Sequence, residues 1–290
     1  MRLFSFVFII LAAVSFTDRD AHSDEIKTRV DALGFKPHKA LYDIRMIGAR
    51  SGSQILNISG QMFYEWQPVC DAWISNHRFN LLYEYADSAP MRITSSFSTY
   101  ESFDGQSLNY TSQRKRHGQI FEELRGNAAM PVSGGMGSAM FTIPSDLEFE
   151  LPDGTLFPIA HSIEVAERMK KGEKFYSATL FDGSDEEGPV SVNAFIGKEV
   201  TPDQAKLDYS ALDKDLISSP AHNVRLAFFP LNNNEATSDY EMTLVYHQNS
   251  LISDMLIEYD DFTVSQKLVA VEPVEDGCQS AGETPEIIDE

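Results

Sequence analysis

From His38 onward the chain alternates apolar and polar residues with a period of two, the pattern of strands that bury one face. The segment HKALYDIRMI (38–47) has apolar residues on both faces. In QILNISGQMFYEW (54–66), Ile55, Asn57, Ser59, Gln61 and Phe63 share one side. Further strands are predicted over 72–86, 91–103, 106–116, 119–126, 138–143, 175–182, 189–199, 222–229, 239–249, 251–259 and 262–271. Asp104-Gly105, Asp153-Gly154, Asp182-Gly183 and Gln248-Asn249-Ser250 read as the turns between several of them. One amphipathic helix interrupts the pattern, residues 161–171 (HSIEVAERMKK), closed by Gly172. Ile163, Ala166 and Met169 form its apolar stripe, and Glu164/Arg168 and Glu167/Lys171 are i,i+4 pairs on its solvent side. The acidic stretch 24–34 reads as a second, short helix ending at Gly34. These elements predict a single all-β, sheet-based domain with one or two helices, without a linker or a clear internal repeat.

Composition narrows the function classes. With 42% hydrophobic residues, 19 Phe and 11 Tyr, the 290-residue chain has ample apolar surface to offset chain entropy, which excludes wholesale disorder. Its 23 Lys+Arg against 44 Asp+Glu give a net charge of −21, which argues against nucleic acid and anionic lipid headgroups as partners. The basic cluster Arg114-Lys115-Arg116-His117 is too short to reverse that balance. Apolar residues on both faces of several strands predict a sheet curled around an interior. A filled core is the plainer reading; an interior with room for a core helix or a lipid-like ligand is the alternative.

The first residues read as an export signal: Met1-Arg2, then an apolar run from Leu3 to Phe16, too short to span a bilayer comfortably, with cleavage placed after Ser23. The expected organisation is a signal peptide over 1–23, one β-rich domain over 24–278 and an acidic, disordered tail over 279–290. The product is expected to be soluble, not membrane-spanning, and exported. The softer stretches are 127–137 (NAAMPVSGGMG), a candidate mobile loop at the mouth of the curved sheet, and 201–220. In an oxidising compartment the two cysteines, Cys70 and Cys278, are most simply read as one disulfide. The alternative is a reactive or metal-binding thiol, although neither sits in C-x-x-C or has His at ligand spacing.

Candidate chemistry is sparse. Zinc-ligand spacing such as H-x-x-x-H, G-x-S-x-G, a P-loop and G-x-G-x-x-G are all missing, so the sequence predicts no metal, no cofactor and no catalytic residue. Acidic groups cluster at Asp182, Asp185, Glu186 and Glu187, and again at Glu258, Asp260 and Asp261. Such carboxylates can serve a glycosidase or bind calcium. The plainer reading is a turn at Asp182-Gly183 and a strand end at Asp260. Asn57-Ile-Ser59 and Asn109-Tyr-Thr111 match the N-glycosylation triplet but lie within predicted strands.

Several segments in order resemble one family: His38-Lys-Ala-Leu-Tyr42, Gly60-Gln-Met62-Phe-Tyr64-Glu65, Cys70-Asp-Ala-Trp73, Phe103-Asp104-Gly105, Leu151-Pro152 with Leu156-Phe157-Pro158, Leu180-Phe181-Asp182-Gly183-Ser184, Tyr259-Asp260-Asp261-Phe262 and Cys278. This resembles the EipB family of periplasmic envelope-integrity proteins from Gram-negative bacteria. The resemblance implies an antiparallel, spiral-like and incompletely closed β-barrel, with Cys70 and Cys278 at the family's disulfide positions. It further implies periplasmic location, a role in envelope integrity and stress tolerance, and a connection to a tetratricopeptide-repeat protein. Its fold is similar to lipoprotein carriers that hold acyl chains in a curved sheet, which makes lipid or an acylated protein the alternative ligand. Trp73, Asp104, Gly105, Pro158, Asp182, Gly183, Tyr259 and Asp260 are then expected to be structural motif residues. Protein contacts are the expected mode of action, with the carrier as the alternative.

Overall fold

The computed structural model describes residues 27–200, 211–231 and 237–275. The expected signal peptide, the acidic tail and Cys278 lie outside the described residues. The first half supplies eight strands: β1 (His38–Ala49), β2 (Ile55–Val69), β3 (Ala72–Tyr85), β4 (Met91–Ser102), β5 (Ser107–Arg116), β6 (Gln119–Ala129), β7 (Gly137–Ile143) and β8 (Glu148–Leu151). The second supplies six: β9 (Phe175–Leu180), β10 (Val190–Val200), β11 (Ala221–Pro230), β12 (Tyr240–His247), β13 (Ile252–Glu258) and β14 (Phe262–Pro273). Three helices accompany them: α1 over 27–33, α2 (Pro158–Lys171) and α3 (Lys214–Ile217).

All fourteen strands form one antiparallel sheet in the order β8-β7-β6-β5-β4-β3-β2-β1-β14-β13-β12-β11-β10-β9. It consists of two meanders joined where the first strand meets the last, with His38 opposite Pro273 and Ala49 opposite Phe262. The edges β8 and β9 are not paired to each other, so the barrel stays open. A patch of chain brings them near: Leu156 forms a parallel bridge with Leu180, and the Leu156 amide donates to the Thr179 carbonyl at 2.8 Å. A right-handed twist accumulated over so many strands is what curls the sheet around its interior.

Burial follows the alternation. In β1 His38, Ala40, Tyr42 and Ile44 are buried, and in β2 Ile58, Met62 and Trp66 are buried while Asn57 and Gln61 face outward. The main core fills the space between β1–β3, β10–β14 and the three helices, and a smaller one lies between β5–β8, Phe157 and Phe181. Helix α2 crosses the interior and buries Ile159, Ile163, Val165, Ala166 and Met169. It begins at Pro158, whose missing N–H costs nothing in the first turn, and stops at Gly172 in the left-handed conformation (φ 74°). Glu164 and Glu167 do not face only solvent: Arg29 of α1 donates to both at 2.7 Å, tying α1 onto α2.

Four expectations are corrected. There are three helices among the described residues, not one or two, because Lys214–Ile217 forms a turn capped by Asp213, whose carboxylate accepts from the Asp215 and Leu216 amides. The long-range disulfide is not supported, since Cys278 lies outside the described residues. The C-terminal strand is held by its ladders with β1 and β13. Cys70 itself, between β2 and β3, is not a free thiol. Asp182-Gly183 is not a tight hairpin but the start of a longer connection between β9 and β10. There Gly183 (φ 71°) lies against the Tyr110 ring, which a Cβ would approach to 2.4 Å. The stretch 127–137 is mostly strand ends around a loop over 130–136, and that loop docks on Asp153, whose carboxylate accepts from the Gly135 amide at 2.8 Å.

Candidate functional site

The concave face of the sheet and helix α2 enclose a cavity of about 350 Å³. Strand alternation builds it: Met62, Tyr64 and Trp66 of β2, Ser75, His77 and Phe79 of β3, and Met255 and Ile257 on β13 with Tyr259 just beyond it turn inward, and Ile252 joins them at the start of β13. Tyr42 of β1, Met242 and Tyr246 of β12 and Gln266 of β14 extend the wall, and Pro158, Ile159 and Ser162 of α2 close one side. The volume falls at the lower end of the range of small-molecule sites, roughly 300–1,000 Å³. The lining is aromatic, aliphatic and methionine-rich, and contains no Lys, Arg, Asp or Glu. The methionines give the wall adaptable, polarisable surface.

Several polar atoms in the wall are satisfied by the protein. The Tyr42 hydroxyl donates to the Ile252 carbonyl at 2.7 Å, that of Tyr246 to the Ser162 carbonyl at 3.3 Å, and the Ser75 and Thr99 hydroxyls share a bond of 2.6 Å. Burial raises the pKa of Tyr42, Tyr64 and Tyr246 and lowers that of His77 to about 4. These four side chains are therefore neutral at neutral pH. His77 contacts Tyr64 and Phe97 edge-on or tilted, at centroid distances of 4.8 and 5.9 Å. Two buried atoms of lining residues have no hydrogen-bond partner, Gln266 Oε1 and Ser250 Oγ. At the rim Tyr259, 40% exposed, stacks on Tyr240 (5.9 Å) and packs on Phe262 (4.8 Å).

The helix over the cavity is anchored by a buried acid. The N-cap of α2, Phe157, has no side chain able to accept from the free amides of the first turn. Glu101 of β4 performs that task from across the sheet: its two oxygens accept from the amides of Ile159 (2.7 Å) and Ala160 (2.8 Å). The carboxylate is 1% exposed, and burial pushes its pKa up to about 7, although the two amides pull the other way. The positive end of the helix favours its ionised form.

Of the expected structural motif residues, Pro158 and Tyr259 line this cavity, whereas Trp73, Asp104, Gly105, Asp182, Gly183 and Asp260 do not. Trp73 is buried between Trp66 (5.4 Å) and Phe103 (4.7 Å), with its indole N–H unpartnered. Asp104 accepts from the Ser102 hydroxyl and the Gln106 amide, and Gly105 (φ 66°) completes that turn. Asp182 accepts from the Ser184 amide at 2.9 Å, and burial raises its pKa. Asp260 is exposed and lies 3.9 Å from Arg50. No group of three or more potential metal-ligating side chains forms among the described residues. Sequence reasoning missed Glu101 and Gln266; the only signal for either was a polar residue at an inward-facing strand position. A second hollow, about 530 Å³ but more open, lies over β3–β7 and is lined partly by Ser98, Asn109, Thr111, Arg125 and Asn127.

A family model described as EipB-like matches residues 30–275. The cell envelope integrity protein EipB of Brucella abortus (strain 2308) is 27% identical over 256 residues, covering 87% of this chain and 89% of that protein. The crystal structure of a beta-barrel-like protein of a domain of unknown function from Brucella abortus superposes with a TM-score of 0.76 at 25% identity. That match covers 83% of this chain and 99% of the other. Among the described residues no helix is long and apolar enough to cross a membrane.

Proposed function

Because the chain belongs to the EipB-like family, we propose that it supports envelope integrity by holding an apolar, acyl-type ligand in the cavity under α2. The observation that carries this reading is the cavity itself: enclosed by sheet and helix, lined by Met, Ile, Phe, Tyr and Trp, and free of formal charge. Each methylene moved from water into such a wall gains about 0.8 kcal/mol, so a chain of moderate length supplies useful affinity without any strong polar contact. The proposed action is non-catalytic and periplasmic. The carboxylates considered as candidate acids cap a turn or sit exposed beside an arginine, apart from the cavity.

Native mass spectrometry of the protein isolated from envelope fractions tests the reading, with a bound lipid mass as the expected result. Ile257→Trp, which fills the cavity from β13, should remove that mass while leaving the fold intact. Consistently empty wild-type protein would exclude carriage.

A protein contact is the second reading. Phe175 and Phe195 stand opposite each other on β9 and β10, 52% and 58% exposed, with their rings 5.1 Å apart. Exposed aromatic pairs on a sheet edge suit a protein surface. Loss of binding to a periplasmic tetratricopeptide-repeat protein on Phe175→Ser, with ligand content unchanged, would support it.

A further inference from the structure

We infer that the cavity selects an uncharged amphiphile: an apolar chain ending in a neutral group that donates a hydrogen bond, such as an alcohol or a primary amide, to the Gln266 side-chain oxygen. This rests on the carrier reading above and specifies its ligand. Three observations lead to it.

The wall contains no Lys, Arg, Asp or Glu, so an ionised head drawn inside would find no counter-charge. Burying an unpaired carboxylate or ammonium costs far more than the chain gains at its tail, and such a group stays outside or neutralises. His77, the lining side chain closest to a cation in its chemistry, is neutral because burial depresses its pKa.

The wall nevertheless is not purely apolar. Gln266 is 6% exposed and its Oε1 has no partner, the unfavourable arrangement of a buried acceptor left unsatisfied. It sits on β14 opposite Ile44 of β1 and Met255 of β13, neither of which can donate to it. Turned into the cavity by a side-chain rotation, this acceptor is satisfied by a ligand O–H or N–H, whereas an ester or ether oxygen does not satisfy it.

Finally, three hydroxyls of the wall are already committed. Tyr42, Tyr246 and Ser162 donate to backbone carbonyls, so they hold the wall in place and are not available to hold an anion.

The test is displacement of a fluorescent alkyl probe from the full-length protein by compounds of one chain length: 1-dodecanol, dodecanamide, ionised dodecanoate and dodecylammonium. The alcohol and amide should compete at least about tenfold more strongly than either ion, the factor that 1.4 kcal/mol provides. Gln266→Leu removes the orphaned acceptor without opening a hole. Its advantage for dodecanamide over the methyl ester of dodecanoate should collapse, with thermal stability kept or raised. Dodecanoate competing as strongly as dodecanol would overturn the neutral-head assignment while leaving the carrier reading in place. If the probe binds and Gln266→Leu leaves the amide preference unchanged, Gln266 is not the acceptor and the inference fails. If neither the probe nor any of the compounds binds, the carrier reading falls and this inference falls with it.

Discussion

Replacing Glu101 with Gln tests how helix α2 is held over the cavity. In the folded protein this carboxyl titrates at about 7, against an ordinary value of 4.5. Between those values the folded state keeps a proton that the unfolded chain has released, so this group makes stability fall as pH rises through the window. The interval, at 1.36 kcal/mol per pH unit, amounts to about 3 kcal/mol. Gln removes the titration and leaves one of the Ile159 and Ala160 amides without an acceptor, a pH-independent cost of about 1–3 kcal/mol.

The buried histidines act in the opposite direction. His38, His77 and His161 are each depressed from 6.5 to about 4, so the unfolded chain takes up protons there that the folded one refuses. Stability is lost as pH falls from 6.5 toward 4, and three such groups outweigh one glutamate. The wild-type curve alone therefore bends downward on the acid side. The Glu101 contribution appears only in the difference between proteins. Urea denaturation of both across pH 4.5 to 7 should show wild type minus variant falling by about 3 kcal/mol as pH rises. A difference that is flat with pH, or that grows, refutes the assignment of a raised pKa to this carboxyl.

Four other substitutions follow from the same geometry. Gly126→Ala puts a Cβ 2.3 Å from both the Met140 carbonyl oxygen and the Tyr110 hydroxyl; it should cost about 1–3 kcal/mol in a thermal or urea melt, and an unchanged midpoint would contradict that close approach. Arg29→Met removes the ion pairs that fasten α1 to α2 at Glu164 and Glu167. Because all three side chains are partly exposed, the loss should be about 1 kcal/mol or less, seen as faster amide exchange over 27–33 with α2 unaffected. Leu244→Ala, at a residue 3% exposed in the main core, should cost about 2–5 kcal/mol in urea denaturation, whereas Ile47→Ala, 61% exposed, should shift the midpoint by no more than about 0.5 kcal/mol.

Thirteen of the fourteen strands were legible because each is long enough for a period of two to repeat. The exception, β8, is the four-residue run EFEL ending before Pro152, too short to show a period. Helix α2 was legible from its stripe but not its start: Phe157 and Pro158 carry no side-chain cap signal, since the capping oxygens come from Glu101. In YESFD that glutamate looks like any polar strand residue. Its burial is set by a helix more than fifty positions away in the chain, which local pattern cannot convey. The cavity was out of reach for a related reason. Alternation tells which side chains turn inward, but the radius of the curl, and hence whether α2 fills it, depends on twist and bulges summed over the whole sheet.

The pairing of β1 with β14 has a consequence for how the molecule is made. The first strand to be synthesised waits for the last before one of its two edges is covered, since His38 is matched to Pro273. Until then a twelve-residue strand with a buried-type face presents an unpaired ladder, a template for joining a neighbouring chain. Closure of the seam is thus a late, long-range event, and topologies of this kind fold slowly and pass through sticky intermediates. The same seam that unites the two halves of the finished sheet makes the nascent protein dependent on being kept apart from its copies until the C-terminal strand arrives.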